Sequence, residues 1–195
     1  MRFVGLTGGI GSGKSTVTEM LRDRGAVILD ADEFAREAVL PGTDALRRIA
    51  DRFGRDVLAG DGSLDRAALA AIVFADPDAL GDLEAIVHPE VRRLIAEGLR
   101  DNLETDNVVV LVNPLLIEMG SHRDCDVVVV LSVSPETQVA RAVARGMDED
   151  DARSRLAAQL PLEQRAAQAD VLIDNEGSLD ELQIQVGRLW ERLTA

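Results

Sequence analysis

The segment Gly8-Gly9-Ile10-Gly11-Ser12-Gly13-Lys14-Ser15 satisfies G-x-x-x-x-G-K-[ST] at every fixed position. The chemistry of phosphate binding accounts for the spacing. The glycines let the backbone curl until successive N–H groups point at phosphate oxygens. A helix that begins inside the motif adds the partial positive charge of its N-terminus. Lys14 reaches the outer phosphates of a nucleoside triphosphate, and the Ser15 hydroxyl is the expected Mg²⁺ ligand. The flanks agree with this. Phe3 to Leu6 is a short apolar run that reads as a buried strand. Residues 15–24 then place Val17, Met20 and Leu21 on one helical face. The motif therefore predicts nucleotide binding through Gly9, Gly11, Ser12, Gly13, Lys14, Ser15 and Thr16.

Composition sharpens this reading. Of 21 basic residues, Lys14 is the only lysine and the rest are arginine, so the position that kept lysine is informative. A GTPase would carry N-K-x-D for guanine, which a chain with no other lysine cannot hold. It also lacks D-x-x-G at a strand end. A mechanochemical ATPase would end an apolar strand in Asp, whereas Val112-Asn113-Pro114 ends the third strand without a charge. A kinase acting on a small molecule fits better, because its acid can come from elsewhere. The net charge of −14 argues against nucleic acid or an anionic membrane as partner. No run of about 18 apolar residues is present to span a bilayer. One cysteine and two histidines leave little for a zinc site. The expectation is a cytoplasmic protein with no membrane association and no obligate protein partner.

The hydrophobic pattern predicts an α/β fold built on a parallel sheet. Ala26 to Leu29, Val108 to Val112, Val127 to Leu131 and Val171 to Ile173 are further strands. The third and fourth are continuous apolar runs suited to burial on both faces. Ser134-Pro135 opens a helix as N-cap and first residue. Residues 148–160 and 178–193 read as helices. About 75 residues separate the second and third strands, far beyond the dozen or so of a simple crossover. That stretch reads as helical, with breaks at Pro41-Gly42, 59–62, Asp76-Pro77 and His88-Pro89.

Asp30-Ala31-Asp32 follows the second strand. In an open parallel sheet, ligands bind beyond the carboxyl ends of the strands, the edge that also carries the phosphate loop. Asp30, with Glu33 three residues on, suits a helix cap. Asp32 is then left for chemistry, either as the base that takes a proton from an attacking hydroxyl or as a holder of a magnesium-bound water. Arg36 lies one helical turn further on. It either touches substrate phosphate or makes a surface ion pair.

Taken in order, the motifs resemble the dephospho-coenzyme A kinase family. The opening 5–16, Asp30-Ala31-Asp32 with Ala35-Arg36, and Phe53-Gly54, Asp61-Gly62, Phe74, Leu83-Glu84 and His88-Pro89 follow its pattern. So do Pro114-Leu115-Leu116 with Glu118, residues 133–138 with Arg141, and Ala169-Asp170 with Ile173-Asp174-Asn175. Asn113 departs from it, standing where an apolar or acidic residue is expected, and the turn Arg145-Gly146-Met147 is less polar than the pattern. The resemblance implies a three-layer P-loop nucleoside-kinase-like fold with a five-stranded parallel sheet. It implies a nucleotide-binding core of residues 1–32, 105–135 and 166–195, a helical insert for coenzyme A at 33–104, and a helical lid at 136–165. It also implies ATP, Mg²⁺ and dephospho-coenzyme A as ligands. Arg141 and Arg145, four apart on one helix face, become lid residues that offset charge on the transferred phosphoryl group. Arg165 is a further lid candidate. Asn175 is expected near the adenine or in a turn, and His88, Pro114, Leu115 and Leu116 near the acceptor, with a turn role for His88 and a plain core role for Leu115 and Leu116 as the alternatives. Two readings stay open beside this one: another small-molecule kinase with a different insert, and a nucleotide-sensing module without turnover.

Overall fold

The computed structural model describes residues 1–195. Five strands form one sheet: β1 (Arg2–Gly8), β2 (Val27–Asp30), β3 (Val108–Val112), β4 (Val127–Ser132) and β5 (Val171–Asp174). Their spatial order is 2-3-1-4-5, and β1 pairs in parallel with β3 and β4, as β4 does with β5. Leu6 faces Val112 on one side and Val129 on the other. The chain crosses β1 between β3 and β4, so the loop leaving β1 emerges at the switch point of the sheet, where α/β proteins bind ligands.

Alternation along the strands assigns the two faces. Val4, Leu6, Val108, Val110, Val112, Val129, Leu131 and Ile173 face one way. They pack on Val17, Met20 and Leu21 of helix α1 (Lys14–Arg22) and on Leu182, Val186, Leu189 and Leu193 of the closing helix. Each such side chain contributes about 1.5–3 kcal/mol on burial. On the opposite face Gly5 is a glycine for want of space. A Cβ there would lie 2.6 Å from a methyl of Leu116 and 2.8 Å from Cys125 Sγ.

The chain divides into two compact units, residues 1–29 with 102–195, and residues 30–101. In the second, α2 (Ala31–Glu37), α3 (Asp44–Phe53), α4 (Arg66–Val73) and α5 (Pro77–Arg100) surround a core of Ile49, Val57, Leu69, Val73, Ala79 and Ile86. Asp30, Thr43, Asp65 and Asp76 cap these four helices with their side chains. The expected break at His88-Pro89 is absent. Pro89 sits inside α5, which runs on to Arg100. A proline removes one helical hydrogen bond, and here the helix continues through it, with its buried residues Ala79 and Ile86 in the turns before the ring.

The first unit continues with α6 (Pro135–Ala144), α7 (Glu149–Ala157), α8 (Leu162–Ala166) and α9 (Leu179–Thr194). Ser134 caps α6 with Pro135 as its first residue, and Ser178 with Glu181 forms a reciprocal capping box on α9. The helix expected over 148–160 stops at Ala157 and a second one starts after Pro161.

Candidate active site

The phosphate loop runs from Gly9 to Gly13 between β1 and α1. Gly11 and Gly13 have φ of 67° and 92°, the left-handed region that only glycine enters cheaply. Close approach adds a second requirement. A Cβ at Gly9 would lie 2.1 Å from Gln138 Oε1, one at Gly11 2.4 Å from the Gln138 carbonyl oxygen, and one at Gly13 2.2 Å from Asn175 Nδ2. The Lys14 ammonium donates to the carbonyl oxygens of Gly8 at 2.8 Å and Gly9 at 3.0 Å, which fixes the positive charge over the loop. Ser15 is exposed in the first turn of α1, where its hydroxyl is accessible, and Thr16 is half-buried beside it.

Side chains from four other segments reach the loop. Asn175, directly after β5, is 8% exposed and donates from Nδ2 to the Ser12 carbonyl at 2.8 Å. Its own carbonyl accepts from Arg141 Nη2 at 2.9 Å. Gln138 donates to the Val133 carbonyl at 2.9 Å, while its Oε1, buried beside Gly9, has no partner. Gln159 accepts the Ile10 N–H at 3.0 Å. Arg165 comes within 3.1 Å of where a Gly9 Cβ would be, and only 4% of its side chain is exposed. Its one anionic neighbour is Glu118, at 3.5 Å, which also takes the Leu160 N–H. A buried guanidinium with a single loose partner is a concentrated positive charge at the loop. Gln159 carries no sequence signal, because a glutamine in a helical pattern reads as solvent-facing; Gln138 falls in the motif 133–138, but nothing local shows that it reaches Gly9. Glu118 belongs to the P-L-L motif, but nothing local shows that it pairs with a residue beyond position 160.

The remaining expected residues are distributed as follows. Arg145 is exposed at the end of α6, in a pocket of about 290 Å³ that it shares with Ile10, Gly11, Ala142, Gly146 and Met147. Pro114 is half-buried and its carbonyl accepts from the Thr7 hydroxyl at 3.3 Å; Leu115 is exposed. Leu116 is fully buried under β1, so it packs the core and has no surface to offer an acceptor. Asn113 Oδ1 accepts the Leu115 N–H at 2.8 Å, a turn cap that an apolar residue could not supply. In the other unit, Asp30 Oδ1 accepts from the N–H groups of Asp32 at 2.8 Å and Glu33 at 3.1 Å. Because α2 follows β2 with no intervening residue, Asp32 stands exposed in the first turn of that helix, with Arg36 exposed one turn on. His88 is half-buried in the middle of α5.

The chain as a whole is similar to known proteins. The family model for dephospho-CoA kinase matches residues 2–181. The dephospho-CoA kinase of Streptomyces avermitilis is 53% identical over 194 residues, covering 99% of this chain and 94% of its own. Among solved structures, TT1252 from Thermus thermophilus superposes with a TM-score of 0.84 at 38% identity, over 100% of this chain and 98% of its own. The dephospho-CoA kinase from Campylobacter jejuni shares the fold, with a TM-score of 0.75 at 24% identity over 100% and 98%.

Proposed function

Because this chain belongs to the dephospho-CoA kinase family, we propose that Lys14, Asp32 and Arg141 carry the transfer that the family performs. That reaction moves the γ-phosphate of ATP to the 3′-hydroxyl of the ribose of dephospho-CoA and gives CoA and ADP, the last step of CoA biosynthesis. The observation that carries the assignment is the phosphate loop, with Lys14 held by the carbonyls of Gly8 and Gly9.

Phosphoryl transfer asks a protein mainly for position and for charge that matches the transition state. The N–H groups of residues 9–16 and the start of α1 cradle the phosphate chain. Lys14 neutralises its outer end. Arg141 and Arg145, carried on α6, face the same anionic group, and residues 136–165 act as a lid that excludes water. Asp32 takes the proton of the attacking hydroxyl. Residues 33–104 hold dephospho-CoA, with Arg36 and His88 as contacts there and Pro114 and Leu115 at the end of β3. The residues present suit Mg²⁺. No group of three acidic, histidine or cysteine side chains forms a cage, and Mg²⁺ typically keeps water and phosphate oxygens beside one or two protein ligands. Ser15 would hold it, and when bound it offsets phosphate charge. No helix is long and apolar enough to cross a membrane, and a cytoplasmic location fits the substrates.

Two substitutions test the roles. Asp32→Asn is expected to lower kcat by about 10²–10⁴ while ATP affinity stays within about twofold. Lys14→Ala is expected to weaken ATP binding and abolish transfer. Turnover surviving in Asp32→Asn would remove the base from that position, and normal activity in Lys14→Ala would remove ATP from the loop.

A further inference from the structure

Asn175 lies where the sequence leads one to expect a base contact, yet its side chain is committed elsewhere. Its Nδ2 donates to the Ser12 carbonyl at 2.8 Å in a buried setting, across 163 residues of chain. It fills the space where a Cβ of Gly13 would be. The segment that carries it is fixed from both ends. The Gln185 amide both accepts the Asp174 N–H at 3.0 Å and donates to the Asp174 carbonyl at 2.7 Å. Glu176 accepts from the Ser134 N–H and hydroxyl, each at 2.9 Å, and from Thr137 Oγ1. Arg141 holds the Asn175 carbonyl. A side chain mounted this firmly cannot drift without moving the Ser12-Gly13 peptide, the stretch from which the loop turns into α1.

We infer that Asn175 is a positioning residue of the phosphate loop. It sets the direction of the Ser12-Gly13 peptide and so preorganises the N–H groups that receive the phosphate chain, without contacting the base. The inference rests on the reading of residues 8–16 as the ATP phosphate site. Preorganised donors raise affinity because the cost of ordering them is met before the ligand arrives. Asparagine serves where aspartate cannot, since an ionised carboxylate would face the Ser12 carbonyl with no donor.

The test uses inorganic tripolyphosphate, which has the phosphate chain and no base, beside ATP and GTP. Dissociation constants are measured by calorimetry on the wild-type chain, Asn175→Ala, Asn175→Asp and Lys14→Ala. Loss of a buried hydrogen bond that shapes the loop is expected to weaken tripolyphosphate and ATP alike, by about tenfold, and to leave the ATP:GTP ratio unchanged. In Asn175→Asp the loss shrinks relative to wild type as pH falls, because a protonated carboxyl donates to Ser12 again. A merely structural role lowers the melting temperature without this pH-dependent recovery of binding. If the Asn175 variants lose ATP and keep tripolyphosphate, the residue reads the base and the inference is overturned. If they bind both as wild type does while Lys14→Ala loses both, the inference fails alone. If Lys14→Ala also binds both normally, the phosphate-loop reading fails with it.

Discussion

Gly13 is constrained twice, and the two constraints separate experimentally. Its φ of 92° penalises any side chain, at about 1–2 kcal/mol. Its Cβ would also lie 2.2 Å from Asn175 Nδ2, a distance that no relaxation of the loop alone removes. Pushing Asn175 aside sacrifices its bond to Ser12 and leaves a buried polar group unpaired, for about another 1–3 kcal/mol. Gly13→Ala is therefore expected to cost about 2–5 kcal/mol in total. Gly25 is the control. Its φ is 102° and nothing lies within 4 Å of a Cβ there, so Gly25→Ala incurs the backbone penalty alone. At about 2–4 °C per kcal/mol for a chain of this size, the first variant melts roughly 4–20 °C below wild type and the second roughly 2–8 °C below. In an Asn175→Ala background the collision is gone, so the cost of Gly13→Ala falls toward that of Gly25→Ala, a non-additivity readable by denaturant titration. Equal costs for the two glycines, or strict additivity with Asn175→Ala, would refute the reasoning.

Two further outcomes follow from the electrostatics. Hydrogen bonds from Thr137 and Ser134 hold the Glu176 carboxyl below its ordinary value of 4.5. A depressed folded value stabilises the protein fully above pH about 4.5 and loses that contribution as pH falls through the folded value. The difference in melting temperature between wild type and Glu176→Gln should accordingly be largest near neutrality and shrink as pH falls below about 4.5; a difference that stays constant or grows on acidification would contradict it. Burial, with Asp124 and Asp126 adding to it, pushes the Cys125 thiol up to about 12. The folded protein should resist an aromatic disulfide reagent at pH 8 and react fully once unfolded, and rapid labelling of the native state would contradict that.

The sequence reveals what is local. Val108–Val112 stands out because a strand covered on both faces needs an unbroken apolar run, and Ser134-Pro135 because a cap is chosen by residues next to it. The phosphate loop is legible for the same reason, since its glycines, lysine and serine act within one turn of chain. The end of β1 is less visible. Thr7 and Gly8 look polar and turn-forming, yet both are strand residues buried in the sheet. Pro89 misleads because a proline weakens a helix without always ending it, and α5 runs through it to Arg100. The least legible layer surrounds the loop. That Asn175 belongs to Ser12, Gln159 to Ile10 and Arg165 to Glu118 depends on topology, because each pair is far apart in sequence. Leu116 shows the converse: a motif leucine beside the site proves to be core.

These long-range pairs also explain the placement of positive charge in a strongly acidic chain. Arg165 is buried beside the loop, Arg141 is tied to Asn175, and Lys14 is fixed by loop carbonyls. The overall charge of −14 repels anions at a distance, so a phosphate chain bound at the loop, as proposed, would rely on these few fixed cations.

Acceptor-dependent ADP release tests the central claim most directly. The assay supplies ATP and Mg²⁺ with dephospho-CoA, its 3′-deoxy analogue, or a panel of nucleoside monophosphates. Turnover is expected with dephospho-CoA, and only background with the 3′-deoxy analogue and the monophosphates. Turnover with the 3′-deoxy analogue, or with a monophosphate in place of dephospho-CoA, would contradict it.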